Sequence, residues 1–359
     1  MIRYAIVGAG MMGREHIRNI HLLEDARVTA IADPDEEMRG RAVRLAGDDV
    51  REFTDHRALL DAGIVDAVVI ASPNHTHAAL LDDILQTDLP VLIEKPLCTT
   101  SGDCARIVER VAARNAPLWV AMQYRYMPPV AQLVDTVRSG AIGELRMLSI
   151  REHRFPFLRK VGDWNRFARN TGGTLVEKCC HFFDLMRLVV DARPTRVYAS
   201  GGQDVNHLDE EYAGERPDII DNAFVVVDFA SGVRAALELC MFAEGSYFQE
   251  HLSAVGDRAN VEAFVPGPSR IRGDGIERAA ELLISPRDST ASERRVVPVD
   301  PEALAAGDHH GATYFQHMAF NRLVREGGAP EVSVEDGALA VEMGLAAERS
   351  VATGQPVEL

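Results

Sequence analysis

The chain has 359 residues, of which 47% are hydrophobic and 26% charged, and its formal net charge is −16 at pH 7. This length can hold two domains and a sizeable core. The acidic balance argues against nucleic acid or an anionic membrane as a partner. The five cysteines are few and odd in number, which argues against a disulfide framework and predicts a cytoplasmic protein. We expect no signal peptide and no membrane span, because the apolar start has the length of a strand and no apolar stretch approaches roughly 18 residues.

The chain begins with a strand that runs into a glycine-rich turn. Residues 2–13 read Ile-Arg-Tyr-Ala-Ile-Val-Gly-Ala-Gly-Met-Met-Gly, the G-x-G-x-x-G spacing of a dinucleotide-binding turn. The first glycine permits the tight turn, the second lets the backbone approach a pyrophosphate, and the third lets the next helix pack on the strand. The start of that helix offers free N–H groups to the phosphates. We predict cofactor contacts at Gly8, Gly10, Met11, Met12 and Gly13.

An acidic residue, Asp33, ends the second predicted strand, twenty residues after Gly13. In a dinucleotide-binding unit, a carboxylate here accepts hydrogen bonds from the adenosine ribose and repels a 2′-phosphate. Asp33 therefore favours NAD over NADP. Two alternatives stay open: Asp33 could cap the following helix, and the nearby Arg39 and Arg41 could accept a phosphate.

Residues 1–123 alternate uninterrupted apolar strands with helices. Strands are expected at 27–32, 66–71, 89–93 and 118–122, with helices at about 77–86 and 101–114. This alternation predicts a parallel sheet covered on both faces, an α/β domain. Ligands bind such sheets beyond the carboxyl ends of the strands. The polar groups expected at that edge, besides Asp33, are Ser72, Pro73, Asn74, His77, Glu94, Lys95 and Gln123.

Residues 124–359 show a different pattern, in which shorter strands often alternate in polarity and are separated by turns. Strands are expected at 146–153, 196–200, 223–229, 233–241 and 251–255, with helices at about 173–190 and 310–326. This predicts an α+β domain with a largely antiparallel sheet, one face of which is open to helices or a partner. The acidic stretch 201–220 is expected to form a loop or lid.

Two segments could carry chemistry. Lys95, next to Glu94 at a strand end, could donate to a substrate hydroxyl or relay a proton, or could be an exposed lysine paired with Glu94. Further along, Glu177, His181 and Asp184 share one face of a predicted helix. His181 would then be a titratable base placed by a carboxylate, although a helix-face histidine is also often structural.

Zinc binding is another interpretation of the second segment. Glu177 and His181 could be joined by Cys179, by Cys180 or by the 309–310 histidine pair. Consecutive cysteines on a helix diverge by about 100°, so they cannot readily share one metal with His181. We therefore expect no metal site.

Other polar residues have both a functional and a structural interpretation. Helix capping and cofactor packing explain His75 and His77 more simply than metal binding. Trp164 and Arg166 could stack on and hydrogen-bond a sugar, or could be surface structure. Most of the histidines at 309, 310 and 317 are expected to pack in the protein.

Together these motifs resemble the glucose–fructose oxidoreductase / inositol dehydrogenase family (Gfo/Idh/MocA) over essentially the whole chain. The resemblance is carried by the glycine turn, Ser72-Pro73 with His77, Glu94-Lys95-Pro96, Gln123-Tyr-Arg-Tyr and the Gly172-Gly…His181 segment. It implies a Rossmann domain at 1–123 and an open-faced sheet domain at 124–359, often a dimer or tetramer through that sheet. It also implies NAD(P)-dependent oxidation or reduction of one secondary alcohol of a sugar, cyclitol or glycoside.

The resemblance also implies roles for individual residues. Lys95 matches the catalytic lysine, and His181 matches the usual acid/base histidine. Glu177 stands where many members carry Asp, so it could orient His181 or contact substrate, and Lys178 replaces a small or apolar residue. Arg125 matches a position near cofactor and substrate. Substrate contacts are thus expected at Lys95, Arg125, Trp164, Arg166, Glu177 and His181.

The expected reaction is reversible hydride transfer between the nicotinamide and a ring carbinol carbon. His181 takes the hydroxyl proton while Lys95 donates to the same oxygen. An aminosugar is one candidate substrate, in view of the acidic charge balance and Glu177. Two other classes stay open: a redox-neutral glycosidase that uses bound NAD transiently, and a non-catalytic NAD-sensing regulator.

Overall fold

The computed structural model describes residues 1–268, 271, 276 and 278–359. In these residues the strands form two sheets, one for each half of the chain. The fold class predicted from the sequence, a Rossmann domain followed by an α+β domain, is confirmed. The first sheet ends at Ala121 and the second begins at Leu145, so the proposed boundary after residue 123 lies between them.

The first sheet is parallel and has the strand order β3-β2-β1-β4-β5-β6. Its strands are β1 Ile2–Val7, β2 Ala26–Ala32, β3 Arg51–Phe53, β4 Ala67–Ile70, β5 Val91–Glu94 and β6 Leu118–Ala121. Every residue of β4, β5 and β6 is buried, because helices cover both faces of the sheet. These helices are α1 Met11–His21, α2 Glu36–Ala46, α3 His56–Asp61, α4 His77–Ile84 and α5 Ser101–Ala112.

The second sheet has the order β14-β13-β12-β11-β7-β10-β9-β8-β15. Its strands are β7 Leu145–His153, β8 Pro194–Gly202, β9 Asn222–Phe229, β10 Arg234–Cys240, β11 Glu250–Gly256, β12 Ala259–Val265, β13 Ala280–Pro286, β14 Glu293–Val297 and β15 Val357–Glu358. Neighbouring strands are antiparallel except β7 and β10, which run parallel. Strands β7 to β11 agree with the predicted strands, whereas β12 to β15 were not predicted from the sequence.

The helices of the second half include α6 Pro128–Arg138, α7 Ala168–Thr171, α8 Thr174–Glu177, α9 Cys180–Val190, α10 Pro301–Ala306, α11 Ala312–Glu326 and α12 Val334–Thr353. The predicted helix at 173–190 is thus interrupted at Lys178 and Cys179. The long helix α12, which sequence analysis missed, starts with a capping box between Ser333 and Asp336. It packs against β8 and α9 and also against α5, so it joins the two halves. None of the helices in the described residues has the length and apolar character to cross a bilayer.

One face of the second sheet carries exposed apolar side chains. Phe224 and Val226 alternate with buried residues along β9, and Phe224 is 65% exposed. On β8, Tyr198 pairs with Val226 and is also exposed, as is Met147 on β7. An outward row of large apolar residues on a sheet indicates an interaction surface.

Candidate active site

The carboxyl ends of the first sheet open onto a cleft of about 750 Å³, within the usual range for ligand pockets. Its other wall comes from the second half of the chain, mainly the segment 154–161 and the interrupted helix. Most of the predicted site residues line this cleft: Gly8, Gly10, Met11, Met12, Asp33, Ser72, Pro73, Asn74, Glu94, Lys95, Gln123, Trp164, Glu177 and His181.

The glycine turn has the steric properties of a dinucleotide-binding turn. Gly8 has φ +97°, and a Cβ there would lie 2.6 Å from main-chain atoms of Ala71. A Cβ on Gly13 would lie 2.0 Å from the oxygen of Gly8, so this glycine lets α1 pack on β1 without lining the cleft. A Cβ on Gly10 would meet nothing within 4 Å, so its backbone faces open space. The turn therefore fits a pyrophosphate against its backbone.

Asp33 is held by the glycine turn. Its Oδ2 accepts a 2.6 Å hydrogen bond from the N–H of Ala9, and its Oδ1 accepts one from Asp35. The cap of α2 is Asp35, which accepts from the N–H of Met38. The capping interpretation of Asp33 is therefore wrong, and its carboxylate faces the cleft instead.

The two arginines proposed as phosphate acceptors differ in availability. Arg39 donates to the main-chain oxygen of Asp33 and pairs with Glu52, so its guanidinium is engaged away from the cleft. Arg41 lines the cleft and forms an exposed ion pair with Glu37. An exposed pair of this kind is weak, so Arg41 is the more available of the two arginines.

Two buried amide side chains in the cleft have unsatisfied polar atoms. Asn74 Nδ2 and both polar atoms of the Gln123 side chain find no hydrogen-bond partner among the described residues. Buried polar groups are rarely left unpaired. These amides fit a polar ligand such as a nicotinamide nucleotide, so the residues present suit the cofactor predicted from the sequence.

His77 does not agree with its prediction as a cofactor contact. Its ring is fully buried and hydrogen-bonded between the main-chain oxygens of Pro96 and Ser72. Burial lowers the pKa of His77, against the effect of these two hydrogen bonds. The histidine thus ties together two strand-end loops that line the cleft.

Lys95 directs its side chain across the cleft to the other half of the chain. The Nζ atom donates a 2.9 Å hydrogen bond to the main-chain oxygen of Glu177. The carboxylate of Glu94 binds the main-chain N–H of Lys95 and the ring of His16, at 3.2 and 3.0 Å. The alternative of an exposed Lys95–Glu94 side-chain pair therefore does not agree with the structure.

Glu177 lies at the end of α8, where the interrupted helix meets the cleft. Its Oε2 is buried without a hydrogen-bond partner among the described residues. Burial raises the pKa of the Glu177 carboxyl, and the cations of Lys95 and Lys160 oppose that shift. A substrate hydroxyl could satisfy this oxygen.

His181 is buried but is not oriented by Glu177 or any other carboxylate. Its Nδ1 has no hydrogen-bond partner among the residues described, and its ring stacks on Tyr124. The expected placement of His181 by a carboxylate needs correction, because the helix is interrupted between Glu177 and His181. Burial lowers the pKa of His181 well below 6.5, and nearby cations, Lys95 first among them, lower it further. The ring is therefore neutral near pH 7 and can accept a proton.

Two arginines expected to contact substrate lie outside the cleft lining. Arg125 is buried and forms ion pairs with Asp184 and Asp336. Arg166 is also buried, and it pairs with Glu210 from the acidic stretch 201–220, whose first two residues belong to β8. In both cases a carboxylate distant in sequence binds the guanidinium, so these residues hold the walls of the cleft together.

Residues not predicted to contact cofactor or substrate also line the cleft, including Arg154, Lys160, Lys178 and His309. The sequence contains a signal for two of them. Of 38 lysines and arginines only three are lysines, and all three, Lys95, Lys160 and Lys178, line this cleft. Lysine differs from arginine in its compact charge and its responsive pKa. In a chain whose other basic residues of this kind are arginines, a lysine therefore indicates a position that requires the compact charge or the responsive pKa of lysine.

The zinc alternative finds no support in the geometry. Cys179 and Cys180 are free and fully buried, and His309 pairs with Glu15 at 2.7 Å. Across the described ranges, no group of three or more His, Cys, Asp or Glu side chains is arranged to hold a metal ion.

Comparisons with known proteins agree with this geometry. Residues 2–122 match the model of the Gfo/Idh/MocA oxidoreductase family for its NAD-binding Rossmann fold, and residues 134–359 match the model for its C-terminal alpha/beta domain. The chain belongs to the Gfo/Idh/MocA family. It is therefore an oxidoreductase whose cofactor is NAD.

Individual relatives of this Gfo/Idh/MocA protein are dehydrogenases. The chain is 30% identical to inositol 2-dehydrogenase 1 of Saccharopolyspora erythraea over 78% of its own length and 79% of the relative's. The fold matches levoglucosan dehydrogenase in complex with NADH, with a TM-score of 0.82 at 22% identity, covering 99% and 98% of the two chains. It also matches myo-inositol dehydrogenase from Lactobacillus casei in complex with NAD(H) and myo-inositol, with a TM-score of 0.78 at 21% identity, covering 100% and 97%.

Proposed function

We propose that this protein oxidises or reduces one secondary hydroxyl of a sugar, cyclitol or related glycoside, with NAD as the hydride carrier. The observation that carries the proposal is the convergence of Lys95 and His181 on one cleft with the glycine turn. Lys95 comes from the end of β5 and His181 from α9, so the two halves of the chain build the site together.

NAD, when bound, supplies the hydride acceptor, and the protein's own residues handle the hydroxyl proton. His181, a neutral base, takes this proton. Lys95 donates a hydrogen bond to the same oxygen and stabilises the negative charge that develops on it. In the reverse direction, His181 returns the proton to the alcohol oxygen.

Other cleft residues suit a polyhydroxylated substrate. Glu177 offers a buried oxygen without a partner among the described residues, and Lys160 offers an ammonium group that forms no ion pair there. Burial lowers the pKa of Lys160, as do Lys95 and Arg154, while Glu177 opposes them. Glu177 as acceptor and Lys160 as donor can bind different hydroxyls of one sugar or cyclitol ring. Trp164 lines the same cleft and offers an aromatic surface to that ring.

The names of the relatives guide the choice of substrates. Inositol and levoglucosan are substrates named for relatives, and an aminosugar-containing glycoside is the third candidate class. A panel of cyclitols, free aldoses, anhydrosugars and aminosugars, each with NAD and then NADP, should reveal NADH formation by absorbance with at least one polyol. Lys95→Met is the matched negative control.

Three outcomes of this panel would contradict the proposal. Cleavage of a glycoside without net NADH, with cofactor retained through purification, would indicate a redox-neutral glycosidase. Tight NAD binding with no turnover on any substrate would indicate a sensor. Equal turnover by wild type and Lys95→Met would remove the lysine from the reaction.

We also propose that two copies of the chain meet through the open sheet face, giving a dimer or a tetramer. The exposed row of Met147, Tyr198, Phe224 and Val226 supports this assembly, because such a surface is costly to leave in water. A cytoplasmic location stays a prediction, consistent with five free thiols.

A further inference from the structure

His181 is held by a stacked ring and not by a hydrogen bond. Its imidazole lies parallel to the ring of Tyr124, with centroids 4.1 Å apart and 3° between the planes. Catalytic imidazoles are ordinarily oriented by a carboxylate or carbonyl bonded to one nitrogen. Here Nδ1 is buried and finds no such partner in the part of the chain that the structure describes. The other nitrogen, Nε2, is therefore the one that can meet a substrate.

Tyr124 is itself fixed by Lys178. The Lys178 ammonium donates a 2.6 Å hydrogen bond to the Tyr124 hydroxyl and forms a 2.8 Å ion pair with Glu152. It also lies 4.6 Å from the centroid of the Tyr124 ring. All three side chains are buried, and a buried ammonium without such partners would be strongly unfavourable. The phenol ring thus cannot rotate away without leaving buried groups unpaired.

The interruption of the helix makes this arrangement possible. Lys178 follows the last residue of α8 and precedes the start of α9. The main-chain oxygen of its neighbour Glu177 accepts the hydrogen bond from Lys95, while the Lys178 ammonium reaches the Tyr124 hydroxyl. The compact Lys178 ammonium fits between the Tyr124 hydroxyl and the Glu152 carboxylate. The planar guanidinium of an arginine would not fit this position. This explains a lysine in a chain where 35 of 38 such cations are arginine.

We propose that Tyr124, anchored through its hydroxyl by Lys178, is the positioning residue for His181 and sets the orientation of its imidazole toward the substrate. This inference rests on the proposed function for its kinetic consequence, although the orientation itself is a property of the protein alone. Tyr124 acts only through His181 and touches no reacting atom.

Charged groups around His181 also contribute to its behaviour. Burial lowers the pKa of the imidazole, and four cationic groups lower it further: Lys95, Lys178, His309 and Arg154. Burial raises the pKa of Glu250, which interacts with Tyr124, to about 7. Removal of the Lys178 ammonium should therefore raise the pKa of His181 and move the acidic limb of the kcat/KM profile to higher pH.

The kinetic test uses Tyr124→Leu, Tyr124→Phe and Lys178→Met, with Phe182→Leu as the matched control. Phe182 packs edge-on against Tyr124 with centroids 5.7 Å apart, and it is equally buried. Tyr124→Leu should lower kcat by about 100-fold with KM within about threefold, because the base is misplaced. Tyr124→Phe keeps the ring and loses the anchor, so a loss of about tenfold is expected. Phe182→Leu should keep more than half of the wild-type kcat.

A second readout does not depend on turnover. In the wild type, the Cε1 proton of His181 should show an upfield ring-current shift from the stacked phenol in the NMR spectrum. Tyr124→Leu should abolish this shift, and Lys178→Met should reduce it, while Phe182→Leu should leave it in place. Thermal unfolding of each variant identifies any that fail to fold.

The outcomes separate the two proposals. If the wild type turns over no polyol, the proposed function fails, and the NMR shift alone decides the positioning of His181. The positioning inference is overturned if Tyr124→Leu keeps kcat within about twofold of wild type. It is equally overturned if Phe182→Leu causes the same loss, or if the His181 resonance does not move in Tyr124→Leu.

Discussion

The Nζ atom of Lys95 lies 2.9 Å from the main-chain oxygen of Glu177, to which it donates a hydrogen bond. The contact joins residues 82 positions apart, one at a strand end in the Rossmann domain and one at a helix end in the second domain. This hydrogen bond requires the interruption between α8 and α9, because the Glu177 carbonyl at the end of α8 accepts a side-chain donor in place of a main-chain one. The same interruption directs Lys178 toward Tyr124.

Lys95→Met should lower kcat by 10²- to 10⁴-fold, the usual range for loss of a positioned proton donor, at roughly unchanged NADH affinity. We expect this because Lys95 donates to the substrate oxygen in the proposed reaction, whereas the glycine turn and Asp33 are the proposed cofactor contacts. Steady-state NADH formation measures kcat, and fluorescence titration measures the NADH Kd. Lys160→Met is the comparison. In this variant KM for the substrate should rise about tenfold, which corresponds to a loss of about 1.4 kcal/mol of binding free energy, and kcat should change less. Identical kinetic effects of the two substitutions would contradict the distinction between the two lysines.

Asp33→Ala should reduce the preference for NAD over NADP. Removal of the carboxylate abolishes the hydrogen bonds to the ribose and the repulsion of a 2′-phosphate, and Arg41 lines the same part of the cleft. We expect KM for NAD to rise about tenfold and KM for NADP to fall, as measured with both cofactors at saturating substrate. Asp35→Ala, which removes the α2 cap, is the control for local destabilisation and should leave the ratio unchanged. An unaltered ratio in Asp33→Ala would show that other groups choose the cofactor.

Much of the fold follows from local sequence patterns. The all-buried strands β4, β5 and β6 appear as uninterrupted apolar runs, and the glycine spacing specifies the turn at Gly8 through sterics that the structure reproduces. Because parallel strands share one edge for their carboxyl ends, the predicted residues at strand ends meet in one cleft.

The remaining features depend on contacts between distant residues. The segment around His181 has a continuous helical pattern, and nothing in its local sequence predicts the interruption at Lys178. That interruption depends on tertiary partners, Glu152 for Lys178 and Lys95 for the Glu177 carbonyl. Likewise, Arg125 lies outside the cleft lining because it forms an ion pair with Asp184, which is 59 positions away in the sequence.

Phe224→Arg should dissociate the proposed assembly. Phe224, on β9, is 65% exposed on the open sheet face, and a buried, unpaired guanidinium in a subunit interface is strongly unfavourable. Light scattering coupled to size exclusion should show a dimer or tetramer for the wild type and the 39.4 kDa monomer for the variant. Leu304→Arg, at an exposed apolar residue on α10, should not change the mass. A monomeric wild type would contradict the assembly.

Glu348→Gln should stabilise the protein at pH 8. Glu348, on α12, accepts a 2.8 Å hydrogen bond from the N–H of Leu175, and burial, with Asp218 nearby, raises the pKa of its carboxyl to about 7. In the unfolded chain the pKa of this carboxyl is near 4.3. The contribution of the protonated carboxyl to the free energy of unfolding is therefore fully present below about pH 4.3, and it is lost as pH rises through about 7. Glutamine keeps the acceptor and does not ionise, so the variant should gain about 3 kcal/mol at pH 8, and the gain should vanish near pH 4. Urea unfolding across this range measures the difference, with Glu342→Gln, exposed on the same helix, as the control. A pH-independent difference would mean that Glu348 titrates alike in the folded and unfolded states.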